Sequence, residues 1–347
     1  MIEAPSAAFE IHTTGTKQHI DAVALGPAAA SDLCALATSS LTGDVWDGTL
    51  AIIGLPSMSL PSASAQVVAS VATAGGNSDV AWLNCETLAT GDDRGDLTIW
   101  ELSCKAEPTC KAVVTFGEHS QPVTSVAASA VPSRVASSSL DGTAKIWAAT
   151  VAGGAVGTLE HLPLKTSWAE VQVHSAAWLD ASAQLLATGA SDGVARVWDL
   201  RLASPAATRL APHTASLLRI ASGAHESQLL AASECGSLLL LDQRKPDAAV
   251  AQAAVHADAP LCALSVATGG GGGGAAPMTP SVAVGAEDGS VVLLDPSDLH
   301  ALAHARPHAA RVGGLAWVRA HGGGAGSVLL SGGWDKRLVR LEFAGAV

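Results

Sequence analysis

The chain reads as short apolar runs broken by tight polar turns, and one such phrase returns seven times. Its best copies are 136–147, Ala-Ser-Ser-Ser-Leu-Asp-Gly-Thr-Ala-Lys-Ile-Trp, and 187–199, Ala-Thr-Gly-Ala-Ser-Asp-Gly-Val-Ala-Arg-Val-Trp-Asp. Weaker copies place the turn at Asp47-Gly48, Arg94-Gly95, Cys235-Gly236, Asp288-Gly289 and Asp335-Lys336. The second turn residues, 48, 95, 142, 193, 236, 289 and 336, are spaced by 47, 47, 51, 43, 53 and 47. Asp-Gly between apolar runs predicts a β-hairpin with a type I′ turn, in which both central residues take positive φ. Five residues after each marker stands a large apolar side chain, Ile53, Trp100, Trp147, Trp198, Leu241, Leu294 or Leu341, the expected anchor of a third strand. Seven such units predict an all-β fold, a seven-bladed β-propeller of four-stranded blades.

The last unit ends at its third strand, around Leu338 to Phe343, with no sequence left for a fourth. The segment Phe9 to Thr14 is the expected donor, so that the N-terminal strand closes the ring and removes an open sheet edge. The domain expectation is one propeller over 1–347, with 1–20 as the N-terminal segment and 269–274 as a flexible glycine loop. The spacings lie at or slightly above the roughly 40–45 residues of WD repeats. A His precedes the first strand of several units, at His119, His213, His256 and His308. Together with the turns these residues resemble the WD-repeat structural tetrad, assigned in the third unit to His119, Ser137, Asp141 and Trp147. A His, Ser, Asp and Trp chain would satisfy four buried polar groups at once. Related sets recur in several units and no G-x-S-x-G elbow accompanies them, so they read as structural rather than as a hydrolase triad. The tetrad is expected in the third and fourth units and decays elsewhere: Arg94 occupies an Asp position, and Ala231 and Cys235 replace two members.

Composition narrows the function classes. The 48% apolar content and mean hydropathy of +0.33 come without an aliphatic run long enough to cross a membrane, which predicts a soluble chain. The start, Met1-Ile2-Glu3-Ala4-Pro5, resembles no secretion or import signal, leaving cytoplasm and nucleus. The six cysteines form no CxxC pair and are expected as reduced thiols, mostly on strands. With 31 acidic against 19 basic residues the net charge is -12, which disfavours nucleic acid and favours basic partners. No cofactor or metal is expected. The glycine runs Gly269 to Gly274 and Gly322 to Gly326 lack the Lys-Ser/Thr pair and helix of a phosphate cradle. His300, His304 and His308 would share a metal-binding face on a helix, but Pro307 and the strand context argue against one.

Nine Trp and no Tyr make the tryptophans countable. Trp100, Trp147 and Trp198 are third-strand anchors; Trp82, Trp178 and Trp317 end first strands; Trp334 precedes the last turn Asp. Trp168 lies in the insertion Glu160 to Val173 and reads as local packing. Trp46 sits in a second-to-third-strand loop expected to be five residues longer than in the fourth unit. Two readings stay open for it: an aromatic exposed for a partner, or one folded back on its own blade.

The phrase Ser39-Ser40-Leu41-Thr42-Gly43-Asp44-Val45-Trp46-Asp47-Gly48-Thr49-Leu50 resembles the first blade of the methylosome protein 50 family, WD-repeat partners of protein arginine methyltransferase 5. Ala74 to Trp82, Leu97 to Leu102, Asp242-Gln243-Arg244-Lys245-Pro246 and Gly333-Trp334-Asp335 extend the resemblance in the same blade order. The glycine runs, the Ala-rich loops and the Glu160 to Val173 insertion depart from it. The resemblance implies a non-catalytic scaffold in a hetero-oligomer that docks on the methyltransferase and helps present basic Arg/Gly-rich tails of histones and Sm proteins. It implies partner contacts at Leu41, Thr42, Asp44, Val45, Trp46 and Asp47. An alternative rests on Trp198-Asp199-Leu200-Arg201, which resembles the box of cullin 4 ubiquitin ligase substrate receptors, with Arg201 reaching the adaptor.

Overall fold

The computed structural model describes residues 7–11, 18–27, 30, 32–42, 45–55, 66–104, 108–131, 134–148, 155–160, 171–202, 207–210, 212–223, 225, 227–257, 259–267, 282–318 and 326–344. Strand β1 (Ala7–Ile11) is set apart from the blade that follows it. Blade 1 is β2 (His19–Leu25), β3 (Leu33–Thr42), β4 (Val45–Gly54) and β5 (Gln66–Thr73). Blade 2 is β6 (Asn77–Trp82), β7 (Thr87–Asp92), β8 (Leu97–Ser103) and β9 (Thr109–Phe116). Blade 3 is β10 (Val123–Ala128), β11 (Arg134–Ser139), β12 (Thr143–Ala148) and β13 (Ala155–Glu160). Blade 4 is β14 (Val173–Trp178), β15 (Leu185–Ala190), β16 (Ala195–Asp199) and β17 (Ala207–Leu210). Blade 5 is β18 (Leu217–Ser222), β19 (Gln228–Ser233), β20 (Ser237–Asp242) and β21 (Ala251–Ala254). Blade 6 is β22 (Leu261–Val266), β23 (Val282–Ala286), β24 (Val291–Leu294) and β25 (Ala301–Ala305). Blade 7 is β26 (Val312–Val318), β27 (Gly326–Gly333) and β28 (Leu338–Ala344), completed by β1. The fold is a seven-bladed β-propeller. Its closing strand pairs antiparallel to β28, from Ala7 opposite Glu342 to Ile11 opposite Leu338, and residues 12–14 of the expected donor lie outside the described set.

The core lies between blades. Ile20, Leu36 and Ile53 of blade 1 pack with Leu330 and Leu338 of blade 7, and Leu230 and Leu240 of blade 5 pack with Val282 and Leu294 of blade 6. All seven third-strand anchors are buried. Each buried side chain of this size contributes about 1.5–3 kcal/mol, so the ring rests on many such contacts rather than on one centre. Among the described residues there is no helix long and apolar enough to cross a membrane. Cys34, Cys110 and Cys262 lie on strands, whereas Cys85, Cys104 and Cys235 lie in connections, so the expectation that most cysteines are strand residues is corrected to half.

The turns differ from the expected type I′. Gly95, Gly142, Gly193, Gly236, Gly289 and Lys336 take positive φ, but the residues before them do not. Each of the six donates its N–H to the carbonyl three residues back, as Gly193 does to Ala190 at 3.1 Å. That is a type I turn followed by one left-handed residue, the three-residue hairpin loop. Only the second marker position therefore favours glycine, which five of the six turns carry and Lys336 replaces in the last, and the other tolerates Asp, Arg or Cys. The Asp47-Gly48 copy is no turn: Gly48 sits inside β4, opposite Ser39 and Thr73.

Every inner strand carries a β-bulge near its start, at the second residue in six of them (Ser78, Thr124, His174, Leu218, Cys262 and Gly313) and at the third, Asp21, in β2. The extra residue re-aims the side chain that follows it. In blades 2 to 4 that side chain crosses to the next blade: Asp79 Oδ2 accepts from Val126 N at 2.8 Å, Ser125 Oγ from Ala176 N at 3.5 Å, and Ser175 Oγ from Ile220 N at 3.1 Å. The first-strand tryptophans tie in the opposite sense. Trp82, Trp178 and Trp317 donate Nε1–H to the carbonyls of Ala24, Ala127 and Ser265 in the preceding blade, at 3.0, 3.0 and 3.3 Å. Where blade 7 meets blade 1, β26 approaches so closely that a Cβ at Gly314 would stand 2.4 Å from Val23 N.

Gly193 has φ +73°, and a Cβ there would meet the His213 carbonyl oxygen at 2.0 Å. Gly193→Ala is expected to destabilise the fold by more than the ~1 kcal/mol that left-handed backbone alone costs, read as a lower urea midpoint. A midpoint equal to the parent's would refute this account of the turn.

Candidate functional site

The feature that departs furthest from sevenfold symmetry is the β3/β4 hairpin. It pairs without a break from Leu33 opposite Gly54 to Thr42 opposite Val45, so the expected long loop is instead two ten-residue strands. Register explains this: Ser39, Ser40 and Leu41 find partners in Gly48, Asp47 and Trp46, and pairing satisfies backbone groups that a loop would leave to water. Ser40 Oγ also donates to Asp47 Oδ1 at 2.5 Å. Leu41 and Trp46 are directly opposed and share one face, 53% and 41% exposed. Trp46 is the one aromatic among the exposed large hydrophobics of the described residues. One ring edge leans on the start of blade 2, where a Cβ at Gly76 would stand 3.5 Å from Trp46 Cε3, so the ring is partly folded back and partly open. Gly43, Asp44 and the side chains of Thr42 and Val45 lie outside the described residues, as does Trp168.

In blade 3 the structure joins the four proposed tetrad residues. Trp147 Nε1–H donates to Ser137 Oγ at 2.8 Å, which lies 2.8 Å from His119 Nε2, while His119 Nδ1 lies 2.8 Å from Asp141 Oδ2. With the carboxylate holding a proton on Nδ1, Nε2 accepts from Ser137. Burial holds His119 below the ordinary histidine range against the pull of Asp141, so the ring stays neutral. Burial pushes Asp141 upward, yet hydrogen bonds from Thr143 and His119 win and hold it low. Ser137 is fully buried and its oxygen is engaged by two partners, which leaves no approach for a substrate to this Ser, His and Asp set.

Among the described residues His, Ser and Asp also join in blade 7, while the segment 161–170 that precedes blade 4 lies outside the described residues. His308 lies 2.9 Å from both Ser331 Oγ and Asp335 Oδ1. In blade 4 Trp198 still donates to Thr188 at 2.9 Å, but Asp192 is gripped by the buried Arg196, an ion the repeat pattern did not announce. In blade 2 Asp92 accepts from the backbone of Arg94 and Asp96, which holds the turn although Arg94 occupies the usual Asp position.

Trp334 joins blade 7 to the inner strand of blade 1. Its Nε1–H donates to Asp21 at 3.0 Å, its carbonyl accepts from His19 Nδ1–H at 2.6 Å, and Arg311 stands 5.1 Å over its ring. Burial pushes Asp21 up to about 6, opposed by hydrogen bonds from Ser39 and Trp334 and by the charges of Arg311 and His19. Sequence reading missed this cluster and the inner-strand residues Asp79 and Arg219. The available signal was a charged residue at, or just after, the second position of an otherwise apolar first strand.

Arg201 is exposed and forked onto Asp199, with Nε 2.8 Å from Oδ1; this partner holds the Asp199 carboxyl down at about 2. His300, His304 and His308 share no face: His300 pairs with Asp298, His304 is on strand β25, and His308 is buried in blade 7. Asp295, Asp298 and His300 do lie within 4.8 Å of one another.

Residues 110–148 and 163–199 match the family described as WD domain, G-beta repeat. The first match starts in the outer strand of blade 2 and ends in the third strand of blade 3, so the sequence repeat runs one strand ahead of the blade. No curated protein matches the chain.

Two variants test this geometry. His119→Ala strands Ser137, Asp141 and Trp147 and is expected to cost about 2–4 kcal/mol in denaturant unfolding; a loss below ~0.5 kcal/mol would contradict the hydrogen-bonded chain. Because folding raises the Asp21 pKa from 3.8 to about 6, its stabilising contribution is present below pH 4 and lost as pH rises through 6. Asp21→Asn should flatten that pH 4–6 segment of the stability curve, a difference of order 2–3 kcal/mol, while an unchanged curve would place the charge outside the seam.

Proposed function

We propose that this seven-bladed propeller with WD repeats is a non-catalytic scaffold, present in cytoplasm and nucleus, that binds an arginine methyltransferase and helps present basic Arg/Gly-rich proteins such as histone and Sm tails. The observation that carries the reading is the half-exposed apolar pair Leu41 and Trp46, on a paired hairpin longer than its counterparts among the described residues. An exposed Trp opposite an exposed Leu costs solubility unless a partner covers it, and Trp is enriched at interface hot spots. The docking residues would be Leu41, Thr42, Asp44, Val45, Trp46 and Asp47, where the resemblance to the methylosome protein 50 family is most specific. A net charge of -12 suits basic clients. The alternative, adaptor binding through Arg201, is weakened because its guanidinium is already forked onto Asp199, and an adaptor would have to displace that carboxylate.

Trp46→Ala, purified with an arginine methyltransferase of the type 5 class, is expected to lose co-elution at high salt, where an apolar anchor should matter most. The expected weakening is about 2 kcal/mol or more. Undiminished co-elution would remove Trp46 as an anchor, and recovery of a ubiquitin ligase adaptor in its place would favour the Arg201 reading.

A further inference from the structure

The exposed pair Leu41 and Trp46 sits between two turns of opposite charge. On one side is the last turn of blade 7. His19, directly opposite Ser39 near the base of the hairpin extension, holds the Trp334 carbonyl at 2.6 Å, and the two rings lie 5.2 Å apart. On the other side is the β7/β8 turn of blade 2. A Cβ at Gly76 would stand 3.5 Å from Trp46 Cε3, and the Gly76 carbonyl accepts from Asp93 N at 3.0 Å.

The blade 7 turn is basic. Lys336 and Arg337 follow one another and are both exposed. Arg311, whose carbonyl accepts from Trp334 N at 2.9 Å, adds a third cation over the Trp334 ring. The one carboxylate of this turn, Asp335, is committed to His308 at 2.9 Å and to Ala309 N at 3.1 Å. None of the other five turns with a left-handed residue carries two adjacent cations, and in a chain of net charge -12 the pair runs against the prevailing sign.

The blade 2 turn is acidic. Asp92-Asp93-Arg94-Gly95-Asp96 sets three carboxylates against one guanidinium. Asp92 is buried and accepts the N–H groups of Arg94 and Asp96, whereas Asp93 and Asp96 are half-buried and Arg94 is exposed. Asp47, next to Trp46 on the hairpin, adds a further exposed carboxylate.

Apolar burial has no preferred direction, so Leu41 and Trp46 can anchor a partner without fixing how it is turned. Complementary charge on the two flanks fixes register and speeds encounter. Resting on the scaffold reading above, we propose that the partner protein covering Leu41 and Trp46 is oriented by these two turns: it sets acidic side chains against Lys336 and Arg337 and basic ones against Asp93 and Asp96. A protein offering the same apolar pocket in a uniformly basic surround is disfavoured, because Lys336 and Arg337 would meet like charge.

Stopped-flow association of the full chain with an arginine methyltransferase of the type 5 class, at low and high salt, tests this arrangement. Lys336→Glu is expected to slow association roughly fivefold or more at low salt, and Arg94→Gln, which unmasks the acidic turn, to speed it roughly twofold or more, both effects fading toward ~1 M salt. If Lys336→Glu disturbs its turn, Lys336→Gln removes the charge alone and is expected to slow association roughly twofold. Lys336→Glu and Arg94→Gln both make the chain more negative, so steering by net charge alone would move the two rates in the same direction. That outcome, or an unchanged rate in either variant, overturns the proposal. Trp46→Ala separates it from the reading beneath it. Association that depends on Trp46 but ignores the flanking charges overturns the orientation alone, whereas no association by the parent chain overturns the scaffold reading and the orientation with it.

Discussion

A bulge near the start of each inner strand is the constraint on which the ring depends. One extra residue turns the following side chain out of the regular pleat, and in blades 2 to 4 that side chain receives a backbone N–H from the next blade. Three tryptophans return the tie to the blade before. Apolar side chains supply most of the free energy between blades but have little directional preference. Hydrogen bonds of fixed reach set how one sheet meets the next.

Against that regular frame, polar groups are distributed unevenly. Blades 3 and 7 hold a buried His between Ser and Asp, blade 4 holds a buried Arg against Asp192, and blade 5 has neither Ser nor Asp at the matching positions. The fifth blade is held instead by Leu229, Leu239 and Leu241 packed beside Leu217 and Ile220. The same frame can therefore be held by hydrogen bonds or by leucines, which frees the blade rims to diverge. Blade 1 uses that freedom to extend its hairpin and expose Leu41 and Trp46.

Much of this was legible before any coordinates. The marker residue and the large residue five positions on located the third strand in six blades, because a left-handed turn residue and a buried anchor both constrain residue type strongly; in blade 1 the anchor alone did. Two things were hidden. Asp47-Gly48 has the composition of a turn but lies in a strand, since Ser39, Ser40 and Leu41 can pair across it; pairing register is a relation between two segments. The charges of Asp21, Asp79, Arg219 and Arg311 were hidden because these residues come from four different blades and share no local pattern.

The proposed role is that of a scaffold whose partner covers the blade 1 hairpin. Hydrogen exchange of the full chain, alone and mixed with an arginine methyltransferase of the type 5 class, measures that contact along the backbone. The account predicts new protection concentrated in residues 39–48. Protection that leaves this hairpin unchanged and appears around Arg201 instead would contradict it.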